Sequence, residues 1–252
     1  MKYCRFLDDN QVKYGMVDAD RVIELVGSYN NEVSIPTDRV HFLNEVQLLC
    51  PVDPKQVIAI GLNYSDHAKE QNKKLPEEPM MFMVSPSAVI GPNDEIQLAR
   101  DGHRIDYEAE LAIVIGKEAK DVGEEDASSY IFGYTCANDI SDRDLQKKDG
   151  QFTRAKSFRT YKPIGPWIET NLNPQSLSVR LKKNGEVKQD GTTKDMIHSI
   201  EKIIAAVTEV MTLYPGDVIL TGTPAGVGPL CLGDEVEIDI DGIGQLRNKI
   251  IG

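Results

Sequence analysis

The stretch DYEAELAIVIGK, residues 106–117, constrains this chain more than any other. Its apolar run Leu111–Ile115 is one that a globular protein buries, and it is far too short to span a bilayer. Read as a strand, the stretch sends alternate side chains to opposite faces, so Glu108 and Glu110 point the same way at the mouth of the core. Two carboxylates so placed raise each other's pKa and weaken the fold. A cation between them resolves the conflict, and Mg²⁺ or Mn²⁺ favours carboxylate and water oxygens. A third acid should come from a neighbouring strand. In CANDISDRDLQ, Asp139 closes the apolar strand YIFGYTCA and is held rigidly there, while Asp142 and Asp144 lie further into a loop. We therefore expect Glu108, Glu110 and Asp139 as metal ligands. His103 stands without a His or Cys partner, which disfavours zinc.

Three further segments carry chemistry. In GLNYSDHAKE, Ser65 can cap a short helix on which His67 and Glu70 share a face and can hydrogen-bond. An imidazole oriented by a carboxylate is a natural general base near neutral pH. In AKSFRTYKPIGP, Lys156 precedes a Pro/Gly-rich turn, where an ammonium can stabilise developing negative charge. The glycine-rich GDVILTGTPAGVG lacks the G-K-[ST] ending of a P-loop, which argues against nucleotide binding. Its backbone N–H groups and the Thr223 hydroxyl can instead face a substrate carboxylate.

Around these segments the chain is strand-rich. Residues 1–48 read as short strands with polar turns, and the prolines of CPVDP mark a boundary near residue 50. That gives a small N-terminal domain over 1–50 and a larger domain over 51–252. SVRLKKNGEVKQ reads as a hairpin about Asn184-Gly185. DMIHSIEKIIAAVTEVMTLY reads as one long helix with Met196, Ile200, Ile203, Ile204 and Val207 on its apolar stripe, and His198 beside it in a structural role. There is no βαβ alternation, so the class is α+β.

A formal net charge of −12 argues against a nucleic-acid partner. No signal peptide or membrane span is legible, and Cys4, Cys50, Cys136 and Cys231 form no C-x-x-C pair. The expectation is a cytoplasmic protein with reduced, packed thiols.

Taken in order, GLNYSDHAKE, DYEAELAIVIGK, GYTCANDISDRDLQ, AKSF…PIGPWI and PGDVILTGTPAGVG resemble the fumarylacetoacetate hydrolase family, from about residue 50 to the C-terminus. The resemblance implies a mixed β-sandwich roll, with a small β-rich N-terminal domain as in many bacterial members. It also implies a homodimer holding Mg²⁺ or Mn²⁺. By the same resemblance, Glu108, Glu110 and Asp139 are the ligands, and His67 and Glu70 form the acid/base dyad on a segment that orders as a lid. Lys156 matches the family lysine, Arg143 and Gln146 match polar substrate contacts, and Thr223 matches a carboxylate contact.

The implied substrate is a small 2-oxo acid that chelates the cation through its C1 carboxylate and C2 oxygen, so that an enolate is stabilised when a bond at C3 breaks. Hydrolysis of an acylpyruvate is the leading reading. Oxaloacetate-type decarboxylation, 2-hydroxyhepta-2,4-diene-1,7-dioate-type isomerisation and a catalytically silent, metal-braced binding module are its rivals. Two departures stand out: Val84 replaces the lysine of an F-L-K-P segment, and Arg159 replaces an Asp after K-S-F. Both are expected at the substrate's far end, where Arg159 suits a second carboxylate.

Overall fold

The computed structural model describes residues 1–28 and 34–252. Its centre is the strand Ala109–Ile115, buried along its whole length. Leu111, Ile113 and Ile115 enter one hydrophobic core, while Ala112 and Val114 enter another on the opposite face. A strand covered on both sides reads as a continuous apolar run, which is why this segment dominates the sequence. Ile131–Asn138 pairs antiparallel on one side of it and Val218–Leu220 on the other.

From these strands a twelve-stranded sheet extends both ways. In one direction come Val57–Gly61, parallel to Val218–Leu220, and then Met80–Val84. In the other come Lys162–Glu169 and the N-terminal strands Lys2–Asp8, Gln11–Asp18, Arg21–Val26 and Ile35–Phe42. A five-stranded sheet packs across the first core: Val179, Leu181, Ile238 and Leu246 meet Leu111 and Ile113 there. This is sheet-on-sheet packing with one helix closing the side. The fold is mixed α+β, with a large C-terminal β portion and a smaller N-terminal β-rich portion. The N-terminal strands keep a small core of Cys4, Phe6 and Val22. Their sheet is nevertheless continuous with the larger one, through Lys2 opposite Glu169 and Tyr3 opposite Ile168.

The Asn184-Gly185 hairpin forms as read: Lys183 faces Glu186, and both turn residues have positive φ, as a type I′ turn requires. The long helix is shorter than its periodicity suggests. It spans Ile200–Val210, because the Ser199 hydroxyl accepts from the Lys202 N–H and starts it. Met196 lies before that start, in a bridge to Tyr64. His198 is buried there too, outside the helix, with burial pushing its imidazole pKa down. Ser65 opens the short helix Ser65–Glu70 without capping it; the cap position is Tyr64. Cys4, Cys50 and Cys136 are buried, whereas Cys231 is exposed. No helix among the described residues is long and apolar enough to cross a membrane.

Candidate metal centre and acid–base dyad

Backbone pairing assembles the acidic cluster. Ala109, between the two glutamates, pairs with Asn138. The Asn138 Oδ1 accepts from the Glu108 N–H at 3.0 Å, and the Asp139 N–H donates to the Glu108 carbonyl at 2.9 Å. Asp139 is thereby carried alongside the pair. All three carboxyls are buried, and one oxygen from each lies within 4.8 Å of the other two.

Their surroundings differ. Burial opposes ionisation of Glu108, but Lys156 Nζ at 2.7 Å and Arg143 Nη2 at 2.6 Å outweigh it and hold its pKa at about 2. Glu110 has no ion-pair partner among the described residues. Burial, then Asp139 and Glu108, pushes its pKa well above the usual carboxylate range, against the charge of Lys156 and a hydrogen bond from the Gly222 N–H at 2.8 Å. Asp139 Oδ2 accepts from Lys156 Nζ at 2.5 Å. Its Oδ1 lies 2.8 Å from Lys162 Nζ, and two N–H groups of that ammonium donate to the carbonyls of Ile140 (3.0 Å) and Tyr161 (2.9 Å). Asp139 Oδ1 is thus a buried carboxylate oxygen whose partner is the third N–H of that ammonium.

The cluster fits a hard divalent cation: its three donors are all carboxylate oxygens, and Glu110, which has no ion pair among the described residues, would gain a counter-charge. Glu108, Glu110 and Asp139 are the side chains placed to hold it. Two other groups bring possible ligand atoms equally close, Asp8 with Glu24 and His41, and His103 with Asp142 and Asp144. In the second of these His103 is not without a partner, as its sequence context suggests; its Nδ1 lies 2.7 Å from Asp142 Oδ2.

His67 is buried, with Nδ1 3.0 Å from Glu70 Oε2 and Nε2 2.8 Å from Gln71 Nε2. A carboxylate only accepts and an amide nitrogen only donates, so these partners assign the neutral tautomer with hydrogen on Nδ1 and a lone pair on Nε2. The short helix is fastened to the glycine-rich loop: Gly226 N–H donates to Glu70 Oε1 at 3.1 Å, and Ala225 N–H to Asp66 Oδ2 at 3.3 Å. Three of the loop's N–H groups, those of Gly222, Ala225 and Gly226, thus go to the protein's own acids Glu110, Asp66 and Glu70. Glycine is required at two of these positions. Gly222 and Gly226 have φ of +100° and +97°, and a Cβ would lie 2.7 Å from the Asn63 Cβ and 2.2 Å from the Lys188 carbonyl oxygen.

One cavity brings together His67, Glu108, Glu110, Lys156, Arg143, Gln146 and Thr223, with Phe82 and Phe152 as apolar wall. Glu70 lines the adjoining cleft, which shares Gln71, Arg143 and Gln146. Arg143 is heavily committed: Nε donates to Asp106 Oδ2 (2.8 Å), Nη2 to Glu108, and Nη1 to Gln146 Oε1 (2.8 Å). Thr223 Oγ1 accepts from Gln189 Nε2 at 2.8 Å. Gln189, Gln71 and Lys162 escape a reading by motif. Gln189 Oε1 accepts from the Ala109 N–H (2.9 Å), bracing the glutamate pair from a hairpin strand, and no local pattern announces that. Of the two departures, Val84 is buried in the second core and Arg159 is exposed, and neither lines the two cavities.

Residues 56–251 match the family model described as fumarylacetoacetate (FAA) hydrolase C-terminal, and residues 1–51 match Rv2993c-like, N-terminal. The chain is 38% identical over 273 residues to 2,4-didehydro-3-deoxy-L-rhamnonate hydrolase of Sphingomonas sp. (strain SKA58), covering 99% of this chain and 96% of that protein. It superposes on 2-hydroxyhepta-2,4-diene-1,7-dioate isomerase from Mycobacterium marinum with a TM-score of 0.92 at 40% identity, covering 100% and 98% of the two chains. Maleylpyruvate hydrolase from Sphingobium sp. SYK-6 gives 0.83 at 30% identity, with 100% and 99% covered.

Proposed function

This chain belongs to the fumarylacetoacetate hydrolase family, and from that premise we propose that it is a divalent-metal-dependent enzyme that hydrolyses a C–C bond in an acylpyruvate-type 2-oxo acid. The observation that carries the reading is one cavity lined by Glu108 and Glu110 of the three-carboxylate cluster and by His67, which the Glu70 carboxylate orients. Glu108, Glu110 and Asp139 hold the cation. A Mg²⁺ or Mn²⁺ held there would supply Lewis-acid charge for a bound 2-oxo acid.

The chain's own groups supply the rest. Glu70 keeps the His67 proton on Nδ1, so Nε2 can accept a proton from water; the resulting hydroxide attacks the distal carbonyl, the bond from that carbon to C3 breaks to release the carboxylic acid, and C3 of the departing pyruvate fragment takes the proton back from Nε2. The water must first displace Gln71, whose amide occupies that lone pair. Lys156, seated between Glu108 and Asp139, places fixed positive charge where negative charge develops on the pyruvate fragment. Thr223 accepts from Gln189, which leaves its hydroxyl proton for a substrate carboxylate. Gln146 receives Arg143 on Oε1 and presents its NH₂ to the cavity. The short helix, fastened to the loop at Ala225 and Gly226, acts as a lid that limits bulk water. The same reading takes the protein to be a cytoplasmic homodimer, a state that sedimentation tests directly.

A second reading, isomerisation, draws on two observations. The Gln71 amide shields His67 from water, and the M. marinum isomerase is similar over the whole chain. Incubation with acetylpyruvate, fumarylpyruvate, oxaloacetate and 2-hydroxyhepta-2,4-diene-1,7-dioate, with Mn²⁺ or with chelator, separates the readings. Hydrolysis releases pyruvate and a carboxylic acid only when metal is present. Carbon dioxide together with pyruvate from oxaloacetate, and no carboxylic acid from the acylpyruvates, indicates decarboxylation; an isomeric product without cleavage indicates isomerisation.

A further inference from the structure

Lys162 is a fully buried cation that the proposed chemistry does not use. It begins the strand Lys162–Glu169, its side chain has no solvent exposure, and it lines neither cavity. Three oxygens surround its Nζ: the carbonyls of Ile140 at 3.0 Å and Tyr161 at 2.9 Å, and Asp139 Oδ1 at 2.8 Å. Such a cage suits an ammonium with three N–H groups. Sealed from the cavity, this charge cannot touch a substrate. The group it acts on is Asp139, at Oδ1.

The charge arrangement gives this a purpose. Four buried acids, Asp106, Glu108, Glu110 and Asp139, face three buried or largely buried cations, Arg143, Lys156 and Lys162. Arg143 serves Asp106 and Glu108, and Lys156 spans Glu108 and Asp139. Lys162 alone serves a single carboxylate.

Resting on the reading of Glu108, Glu110 and Asp139 as the metal site, we propose that Lys162 is a built-in counter-cation for Asp139: it lets the acidic cluster fold without a divalent ion and, in consequence, weakens that ion's binding. The direction follows from two opposed effects. An ammonium beside a ligand oxygen repels a divalent ion on the same carboxylate, through surroundings of low dielectric constant. Removing it also frees the Asp139 side chain, but that residue is still fixed by its N–H bond to the Glu108 carbonyl and by Lys156 on Oδ2. Repulsion therefore outweighs loss of positioning. Lys162 is a positioning residue that sets metal affinity and takes no part in the chemistry.

The test compares wild type with Lys162→Met, a side chain of similar length without charge. Mn²⁺ affinity is read by electron paramagnetic resonance of the free ion, and melting temperature is read in EDTA and in saturating Mn²⁺. The expected result is Mn²⁺ binding at least about tenfold tighter, a lower melting temperature in EDTA, and a wider gap between the two conditions. Unchanged or weaker Mn²⁺ affinity, with melting lowered equally in both conditions, overturns the proposal and leaves Lys162 a packing residue. Should the Met variant not fold, Lys162→Gln, which retains hydrogen bonding to the carbonyls, is read by the same outcomes. Wild type that binds no Mn²⁺ overturns the metal-site reading and this inference with it. Wild-type binding with unaltered affinity in the variant overturns this inference alone.

Discussion

Glu110 is the residue on which the site's electrostatics turn, since each of the other two acids has a lysine and it has none. Its folded-state pKa stands above that of the unfolded chain, so the native state holds the proton more tightly. Metal-free stability from this group is complete below the ordinary value of 4.5 and is lost as pH rises through the native value. Urea unfolding in EDTA should show that loss, at most ~1.4 kcal/mol per pH unit, and Glu110→Gln should flatten it; an unchanged slope would remove Glu110 as the cause. His67→Ala should lower turnover about 10²- to 10⁴-fold while leaving Mn²⁺ affinity nearly unchanged. Loss of both together would place the histidine at the metal instead of at the water. At this scale the sequence is readable where residues close in the chain act together: the Glu108–Glu110 pair and the His67–Glu70 pair each carry their own geometry. Gln189 and Lys162 are not readable, because Lys162 reaches the site through the pairing of its strand with Ile131–Asn138 and Gln189 through one sheet packing on the other.

At the scale of elements, local chemistry decides boundaries that periodicity blurs. The apolar stripe continues before Ile200, but the Ser199 hydroxyl on the Lys202 N–H starts the helix there and leaves Met196 to pair with Tyr64. Ser199→Ala should cost about 1 kcal/mol, or roughly 2–4 °C in melting temperature, without changing activity per folded molecule. Gly226 ties the short helix to the loop through the Glu70 carboxylate. Gly226→Ala meets both a positive φ and the Lys188 carbonyl, so denaturant unfolding should show a loss of about 1–3 kcal/mol. It should also lower kcat more than it weakens Mn²⁺ binding, because the dyad loses its anchor while the carboxylates keep theirs. Equal losses in both would mean that the loop supports the metal cluster as much as it supports the lid. The glycines of GTPAGVG were legible as a ligand-facing loop; that their N–H groups serve the protein's own acids depends on a helix the motif does not contain.

For the whole molecule, the continuity of the sheet matters more than the composition break near residue 50. Lys2–Asp8 pairs with Lys162–Glu169, the strand that begins at Lys162 and carries Trp167 against the N-terminal core. Deleting residues 1–50 should therefore expose that edge and give an aggregating protein; a soluble, active fragment from 51 onward would show that the two parts fold independently. The prolines at 51 and 54 mark a change of texture, and only strand register reveals that pairing crosses it. The central claim is that three carboxylates from two strand ends share one hard ion. An anomalous difference map from a Mn²⁺-soaked crystal tests it most directly. The account predicts one strong peak bounded by Glu108, Glu110 and Asp139, with carboxylate oxygens at about 2.0–2.3 Å; no peak there, or a peak only at His103, Asp142 and Asp144, would contradict it.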